Sequence, residues 1–388
     1  MSLSNLKYLV LLFICSFSYA SHASVTVGSC KPSDRSYTTI SAAIAEASPG
    51  EVIEVCSGTY AEQLKIDKPL SIRGIGDVTL IFPPHGLAPI HKRSGTYSQV
   101  LVHNVGGPVK LSYISIEGGD RFESPFGGES SDIAGQSLCL SGYLEDYSGI
   151  LSLGPSTDLD HVKVLHHRIV PVTGGTRLVS SQPYCGGGIE FRGDEGMVRN
   201  SLVDGFGAYG IRGVAIAEHN IVTGSSGAYS VGISARGDVS NNTVTGPGYG
   251  KPETIGIRSS KPVKANVVQL WATGISGPII RENHLVNNEV GLTKINEVSG
   301  NVILASATYP NLACAQPGVM CTDTLPASSV PSTLPTTGID VGCTDAAMVQ
   351  NNQITGAGVG FGEVNASGTV PSNNVLTGVL KVSTSCHH

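Results

Sequence analysis

Asn220-Ile221-Val222, Asn242-Thr243-Val244, Asn266-Val267-Val268 and Asn283-His284-Leu285 are one phrase written four times. It recurs on either side as Asn200-Ser201-Leu202, Asn301-Val302-Ile303, Asn352-Gln353-Ile354 and Asn374-Val375-Leu376. The eight asparagines are spaced by 20, 22, 24, 17, 18, 51 and 22 residues. Each follows a glycine joined to a large apolar residue, the latter 8 to 13 positions upstream: Gly188-Ile189, Gly210-Ile211, Gly232-Ile233, Gly256-Ile257, Gly274-Ile275, Gly291-Leu292, Gly338-Ile339 and Gly360-Phe361. A repeat of about 20 residues is the mark of a solenoid, whose units bury their apolar faces only against one another.

Within each unit the Ile is expected to open a strand and point inward. The Asn is placed at a tight turn in left-handed backbone geometry, which its short amide side chain tolerates. The apolar residue two beyond points inward again: Leu202, Val222, Val244, Val268, Leu285, Ile303, Ile354 and Leu376. Every unit returns to the same place one layer up, so the strands are parallel, and the stacked asparagines should form a ladder of amide hydrogen bonds.

The first third of the chain carries the same architecture in a looser form. Thr38 to Ser48 reads as a short helix, capped by Thr38 or Thr39, with Ile40 and Ile44 on one face and Pro49-Gly50 as the stop. Its place is the end of the solenoid, where an apolar core would otherwise meet water. Short β-branched pieces follow at Val52–Val55, Leu64–Ile66, Leu70–Arg73, Val78–Phe82, Gln99–Val105 and Val109–Ile116, broken by Gly, Pro and Asp. Gly149-Ile150 with Asp160-His161-Val162 repeats the later phrase with Asp for Asn.

The segment Tyr37 to Gly74 runs helix, Pro49-Gly50, strand, Gly58-Thr59-Tyr60-Ala61-Glu62, then Lys68-Pro69-Leu70 and Gly74. With the Gly-Ile and Asn phrases it resembles right-handed parallel β-helix proteins of the pectin-lyase-like superfamily, over nearly the whole of residues 24–388. The resemblance implies an all-β, single-stranded right-handed parallel β-helix with a short N-terminal capping helix. It is weak on activity, because that superfamily holds lyases, hydrolases, esterases, epimerases and inert surface proteins.

Residues 1–23 read as a secretory signal peptide: Lys7, an apolar run from Tyr8 to Phe17, and small residues up to Ser21-His22-Ala23. The run is too short to span a bilayer comfortably. The expected location is therefore secreted, periplasmic or extracellular, with no membrane span. Cys15 leaves with the leader, and eight cysteines remain, as in a disulfide-bonded exported chain. Sequence proximity favours Cys30–Cys56 and Cys314–Cys321, with Cys139–Cys185 and Cys343–Cys386 as the remainder. No CxxC suggests zinc. Without Lys7, 23 basic residues face 30 acidic ones, a net charge of 23 − 30 = −7. No basic cluster points to nucleic acid. The pattern calls for no cofactor or metal; calcium is compatible but has no supporting motif. A monomer is expected.

Three insertions break the rhythm, near 118–148, 165–187 and 303–337. All leave from the strand after the Asn turn, so all emerge at one corner, the first two on neighbouring coils. They read as walls of a groove along the first sheet, where the resembling enzymes bind polysaccharide; the alternative is tolerated decoration.

Side chains alternate along a strand, so the residue after each Gly-Ile faces outward. That column is Glu190, Arg212, Ser234, Arg258, Ser276, Thr293 and Asp340, with Arg192 at the next outward position. Glu190, Arg192, Arg212 and Arg258 are the substrate-binding candidates, since arginine takes carboxylate or sulfate in a bidentate grip. Glu190, Arg212 and Arg258 are also the catalytic candidates, weakly supported. The bland alternative is a set of solvated charges.

Other motifs favour structure over chemistry. The Gly58–Glu62 pentad resembles pectin methylesterases, but their Gln-Asp-Thr and Asp-Phe-x-Phe-Gly segments are missing, so Tyr60 and Glu62 are expected to close the first coil. Asp158 and Asp160-His161 would suit acid–base work. However, the polygalacturonase Asn-Thr-Asp, Asp-Asp and Arg-Ile-Lys motifs and the epimerase Asp-Pro-His-Asp are absent. His166-His167-Arg168 starts an insertion and reads either as groove-facing or as solvated loop. Two functions stand: a carbohydrate-binding protein acting as a polysaccharide lyase or hydrolase, or a non-catalytic surface or periplasmic scaffold.

Overall fold

A computed structural model describes residues 25–386 apart from 32, 34, 89, 91–95, 104, 120–146, 155, 169–185, 194, 226–229, 249–252, 311–332, 344–346 and 366–370. The expected leader, residues 1–23, thus lies outside the described residues, as do Cys139, Cys185, Cys314, Cys321 and most of each insertion.

The chain is a right-handed parallel β-helix, the hand that parallel crossover connections adopt almost without exception. Twelve successive strands pair in parallel in the first sheet, from Leu64–Ile66 through Tyr97–Val102, Tyr147–Ser152 and Gly187–Phe191 up to Lys381–Ser385. A second sheet includes Ser156–Asp160, Glu195–Arg199, Ile279–Arg281 and Glu297–Ser299. A third includes Lys163–His167, Leu202–Phe206, Ile221–Thr223 and Thr243–Thr245. Tyr209–Glu218 and Val231–Ser240 each run unbroken from the first sheet into the second, through a register shift beside Gly213.

The core is three apolar stacks. Ile189, Ile211, Ile233, Ile257 and Ile275 come from the first sheet, Ala217, Val239, Val263 and Ile280 from the second, and Val203, Val222, Val244 and Val268 from the third; all are fully or almost fully buried. The glycine before each Ile is needed for close approach. A Cβ on Gly232 would lie 2.5 Å from Val244 Cγ1 and 2.6 Å from the Gly256 carbonyl oxygen.

The asparagine ladder is present. Asn242 Oδ1 accepts from the backbone N–H and the side-chain amide of Asn220, both at 2.9 Å, and the pattern repeats through Asn266, Asn283, Asn301, Asn352 and Asn374. Its geometry corrects the expectation in one respect. The left-handed residue is the one before the ladder position: His219, Asn241, Ala265, Glu282 and Asn351 have φ of 56° or 57°. The ladder asparagine itself turns inward and is buried. Asn200, at φ 50°, is therefore the turn residue of its own coil, and Ser201 takes the ladder place, its N–H donating to Asn220 Oδ1 at 3.0 Å. Val203, not Leu202, then points into the core.

The capping helix spans Ile40–Glu46, with Thr39 as N-cap and Ile40, Ala43 and Ile44 buried. Glu62 receives the N–H groups of Ile40 and Ser41 at 2.8 Å each, and the Tyr60 hydroxyl donates to the Cys56 carbonyl at 2.9 Å. The pentad is thus a helix cap and a coil closure. Disulfides Cys30–Cys56 and Cys343–Cys386 are formed as expected. No such cap covers the C-terminal coil among the described residues, where Leu380 is 73% exposed.

Each insertion leaves a third-sheet strand, ending at Glu117, His167 or Leu304, and returns to a first-sheet strand starting at Tyr147, Gly187 or Thr337. The third has an antiparallel stem, Thr308–Pro310 against Thr333–Pro335. Among the described residues no helix is long and apolar enough to cross a membrane.

Candidate functional site

The outward column of the first sheet is in register as read: Leu101, Leu151, Glu190, Arg212, Ser234, Arg258, Ser276 and Thr293 stack as successive partners. Its character changes along the axis. Leu101 and Leu151 point outward yet are buried, and Glu190 is only 3% exposed, whereas Arg212 keeps 53% of its side chain in solvent. The open face of the sheet therefore begins at the coil of Arg212.

A buried carboxylate needs partners, and Glu190 has them. Arg192 donates through Nε to Oε1 at 3.2 Å and through Nη2 to Oε2 at 3.4 Å. The Tyr209 hydroxyl donates to Oε2 at 3.0 Å, and Arg212 Nη1 stands 3.8 Å from Oε1. The Tyr209 ring lies over Gly187, where a Cβ would fall 2.1 Å from Cε2, and the Arg212 guanidinium sits 5.3 Å from the ring centre. Glu190 thus orients two arginines from below.

Beside this group is a shallow depression of about 290 Å³, floored by Gly213 and walled by Arg192, Arg212, Ser234 and Arg236. Gly213 has φ +74°, and a Cβ there would meet the Phe191 carbonyl oxygen at 2.0 Å, so the pit cannot be filled by a side chain. Arg236 reaches back two coils and donates to the Gly193 carbonyl at 3.4 Å. Of the four sequence candidates, the structure brings Glu190, Arg192 and Arg212 together. Arg258 stacks on Ser234 in the same column but outside the depression. Arg236 and Tyr209 were missed by sequence reasoning. Arg236 stands two residues after Ser234 as Arg192 does after Glu190, but across the register shift at Gly213 that spacing alone does not place the two together.

The other candidates lie elsewhere. Asp158 and Asp160 are on the second sheet, Asp158 facing Arg199 at 3.7 Å. Burial acts to raise the Asp160 carboxyl, but hydrogen bonds from Asn200 at 2.8 Å and from His161 outweigh it and hold the group below its usual range. His161 stacks on Tyr113 with ring centres 4.7 Å apart. His166 and His167 part company: His166 Nδ1 pairs with Glu117 at 2.9 Å at the corner, while His167 is in the interior, with Nε2 2.9 Å from Gln99 Oε1. Burial lowers the His167 pKa to about 3, so this ring is neutral at physiological pH. Among the described residues no three His, Cys, Asp or Glu gather as metal ligands would.

No protein-family model matches the chain, and no curated protein matches it. Solved structures do. The A-module of the mannuronan C-5 epimerase AlgE4 of Azotobacter vinelandii aligns over 86% of this chain and 89% of its own, at 10% identity and a TM-score of 0.43. The pectin methylesterase PemA of Erwinia chrysanthemi aligns over 91% and 92%, at 9% identity and 0.34. The GH136 lacto-N-biosidase of Eubacterium ramulus aligns over 94% and 67%, at 11% identity and 0.44.

Proposed function

We propose that this is an exported β-helix protein that holds an acidic polysaccharide along the open part of its first sheet. The observation that carries the reading is the depression over Gly213, where Arg192, Arg212 and Arg236 surround one buried carboxylate on a chain whose net charge is −6. Three guanidinium groups line this depression, on a face of parallel strands that an extended polymer could follow. The disulfides Cys30–Cys56 and Cys343–Cys386 fit an oxidising compartment.

Glu190 is better placed to position arginines than to move protons, because its oxygens are taken by Arg192 and Tyr209. That favours binding without turnover over lyase or hydrolase action through this carboxylate. Calorimetric titration with acidic and neutral oligosaccharides tests the reading, with a parallel assay for unsaturated or reducing-end products. The double variant Arg212→Ala/Arg258→Ala should lose about tenfold or more in affinity, since two exposed ion pairs of up to about 1 kcal/mol each are removed. Its melting temperature should stay that of the parent. Undiminished binding by the double variant, or no acidic glycan bound by the parent, would refute the groove and leave a structural scaffold.

A further inference from the structure

Of the three sheets, the third has an outer face almost without charge. Seven successive coils, from the strand Ile221–Thr223 to the strand Val375–Thr377, present two outward columns of seven side chains with no register shift between them. His284 is the only ionisable residue among the fourteen. The second sheet, one turn away, is different: its last outward column holds Asp160, Arg199, Glu218, Lys264 and Arg281. The coil beneath the neutral stretch carries Asp204 in one of the same two columns. The neutral face nevertheless meets water. Ile221 is 52% exposed and Val375 56%, with Val267 at 36% and Leu304 at 38%. A contiguous exposed apolar surface of this kind marks a contact site. Gln269 Nε2 donates to Thr245 Oγ1 at 3.1 Å, so part of the polar content is satisfied within the face itself.

The order of residues is close to palindromic about the coil of His284 and Val286. In the first column Ile221 and Val375 stand three coils either side of His284, Thr243 and Gln353 two, and Val267 and Val302 one. In the second column Thr223 and Thr377, Thr245 and Thr355, and Gln269 and Leu304 stand in the same relation to Val286. Apolar matches apolar and polar matches polar in every pair but the last. A two-fold axis lying between two such faces and parallel to the strands sets each column over itself and reverses the order of the coils. We propose that this face binds a second copy of the same chain in that isologous, antiparallel arrangement, with His284 of one copy opposite His284 of the other at the axis. The chain has a net charge of −6, so two copies repel over much of their surface, and here they meet without opposing like charges. Fourteen side chains at roughly 50 Å² each give about 700 Å² per copy, close to the about 800 Å² that a standard specific interface takes from each partner. The first-sheet depression is on a different face and takes no part.

Sedimentation velocity at rising concentration tests the association, and the purified chain is expected to pass from monomer to dimer. His284→Asp sets two carboxylates against each other at the axis, and Val267→Lys sets an ammonium against Val302 of the other copy. Each should raise the dimer dissociation constant by about tenfold or more. Ser240→Asp, on the second sheet, should leave it unchanged. All three positions lie at the surface, so the monomers should melt with the parent at low concentration. A short bismaleimide tests the register. His284→Cys should be linked to its own copy above the parent's level, whereas Ile221→Cys should not, because six coils of about 4.8 Å put its counterpart about 29 Å away. Mixing Ile221→Cys with Val375→Cys should restore the link. A chain that stays monomeric at every concentration would overturn the proposal and leave the face to a different partner. A dimer that survives both His284→Asp and Val267→Lys would overturn it by placing the contact elsewhere, and linkage through Ile221→Cys alone would overturn the antiparallel register.

Discussion

Replacing Asn242 with Leu tests the ladder that holds the coils in register. The side chain is 1% exposed and central to two layers. Its Oδ1 accepts two hydrogen bonds at 2.9 Å from Asn220, one from the backbone N–H and one from the amide. Its Nδ2 donates to the carbonyls of Ala217 and Ser240 and to Asn266 Oδ1, each at 2.9 Å. Leucine has similar bulk and no polar atoms. The buried Asn220 N–H would lose its acceptor outright, because leucine offers none. Asn220 Nδ2 would keep its bond to the Val198 carbonyl at 2.9 Å, so the loss there is partial.

One orphaned buried N–H costs about 1–3 kcal/mol, and the two under-satisfied carbonyls add about 1 kcal/mol more between them. The sum is about 2–4 kcal/mol, a drop in melting temperature of roughly 3–5 °C for a domain of this size. Differential scanning calorimetry of the purified variant reads this directly. Asn200→Leu is the control: Asn200 is exposed, is not in the ladder, and donates only to Asp160 among the described contacts. Its cost is the strain of a leucine at φ 50°, about 1–2 kcal/mol. The reasoning fails if Asn242→Leu melts with the parent, or if Asn200→Leu is the more damaging of the two.

His167 is neutral in the fold because burial lowers its pKa to about 3, whereas the unfolded chain takes up a proton near pH 6.5. A depressed histidine pKa leaves the fold's stability intact above the unfolded value, and stability is lost as pH falls from about 6.5 towards about 3, by about 5 kcal/mol at most. His167→Phe, which copies its stacked neighbour Phe206, should flatten this part of the stability–pH curve; an unchanged slope in urea titrations across that range would contradict the assignment. Glu62→Ala should cost about 1–2 kcal/mol by removing the acceptor for the N–H groups of Ile40 and Ser41, seen as earlier hydrogen exchange in the capping helix. Alkylation without reduction should label none of Cys30, Cys56, Cys343 and Cys386, and peptide mapping should recover both pairs; a labelled thiol among them would count against an oxidising destination.

The fold was legible because its rules are periodic. The glycine before each Ile is imposed by a carbonyl one coil away and a methyl across the core of its own coil, so it recurs wherever the stack does. The ladder asparagine recurs for the same reason, since each is both donor and acceptor to the next. The error at Asn200 is instructive. Two adjacent positions favour asparagine for different causes: the turn residue tolerates left-handed φ, and the ladder residue uses its amide. Asn241-Asn242 and Asn351-Asn352 fill both, and Asn200-Ser201 fills only the first. The letter alone does not say which role is played; the burial of the residue two beyond does.

The candidate site was legible only as far as alternation reached. Glu190, Arg212 and Arg258 share a column because side chains two apart share a face, and that held through four strands. It ended at Gly213, where the pairing of Tyr209–Glu218 with Val231–Ser240 shifts register. Beyond such a shift the parity of inside and outside cannot be carried from one coil to the next. Arg236 therefore required coordinates before it could be set beside Arg192. The burial of Glu190 was hidden for a different reason. It depends on Tyr209, which precedes the Gly-Ile pair of the next coil and reaches down across Gly187. A carboxylate that looked like an exposed acid or base is instead the counter-ion beneath a cationic face. Of the arginines above it, Arg212 keeps 53% of its side chain in solvent and stands 3.8 Å from the carboxylate.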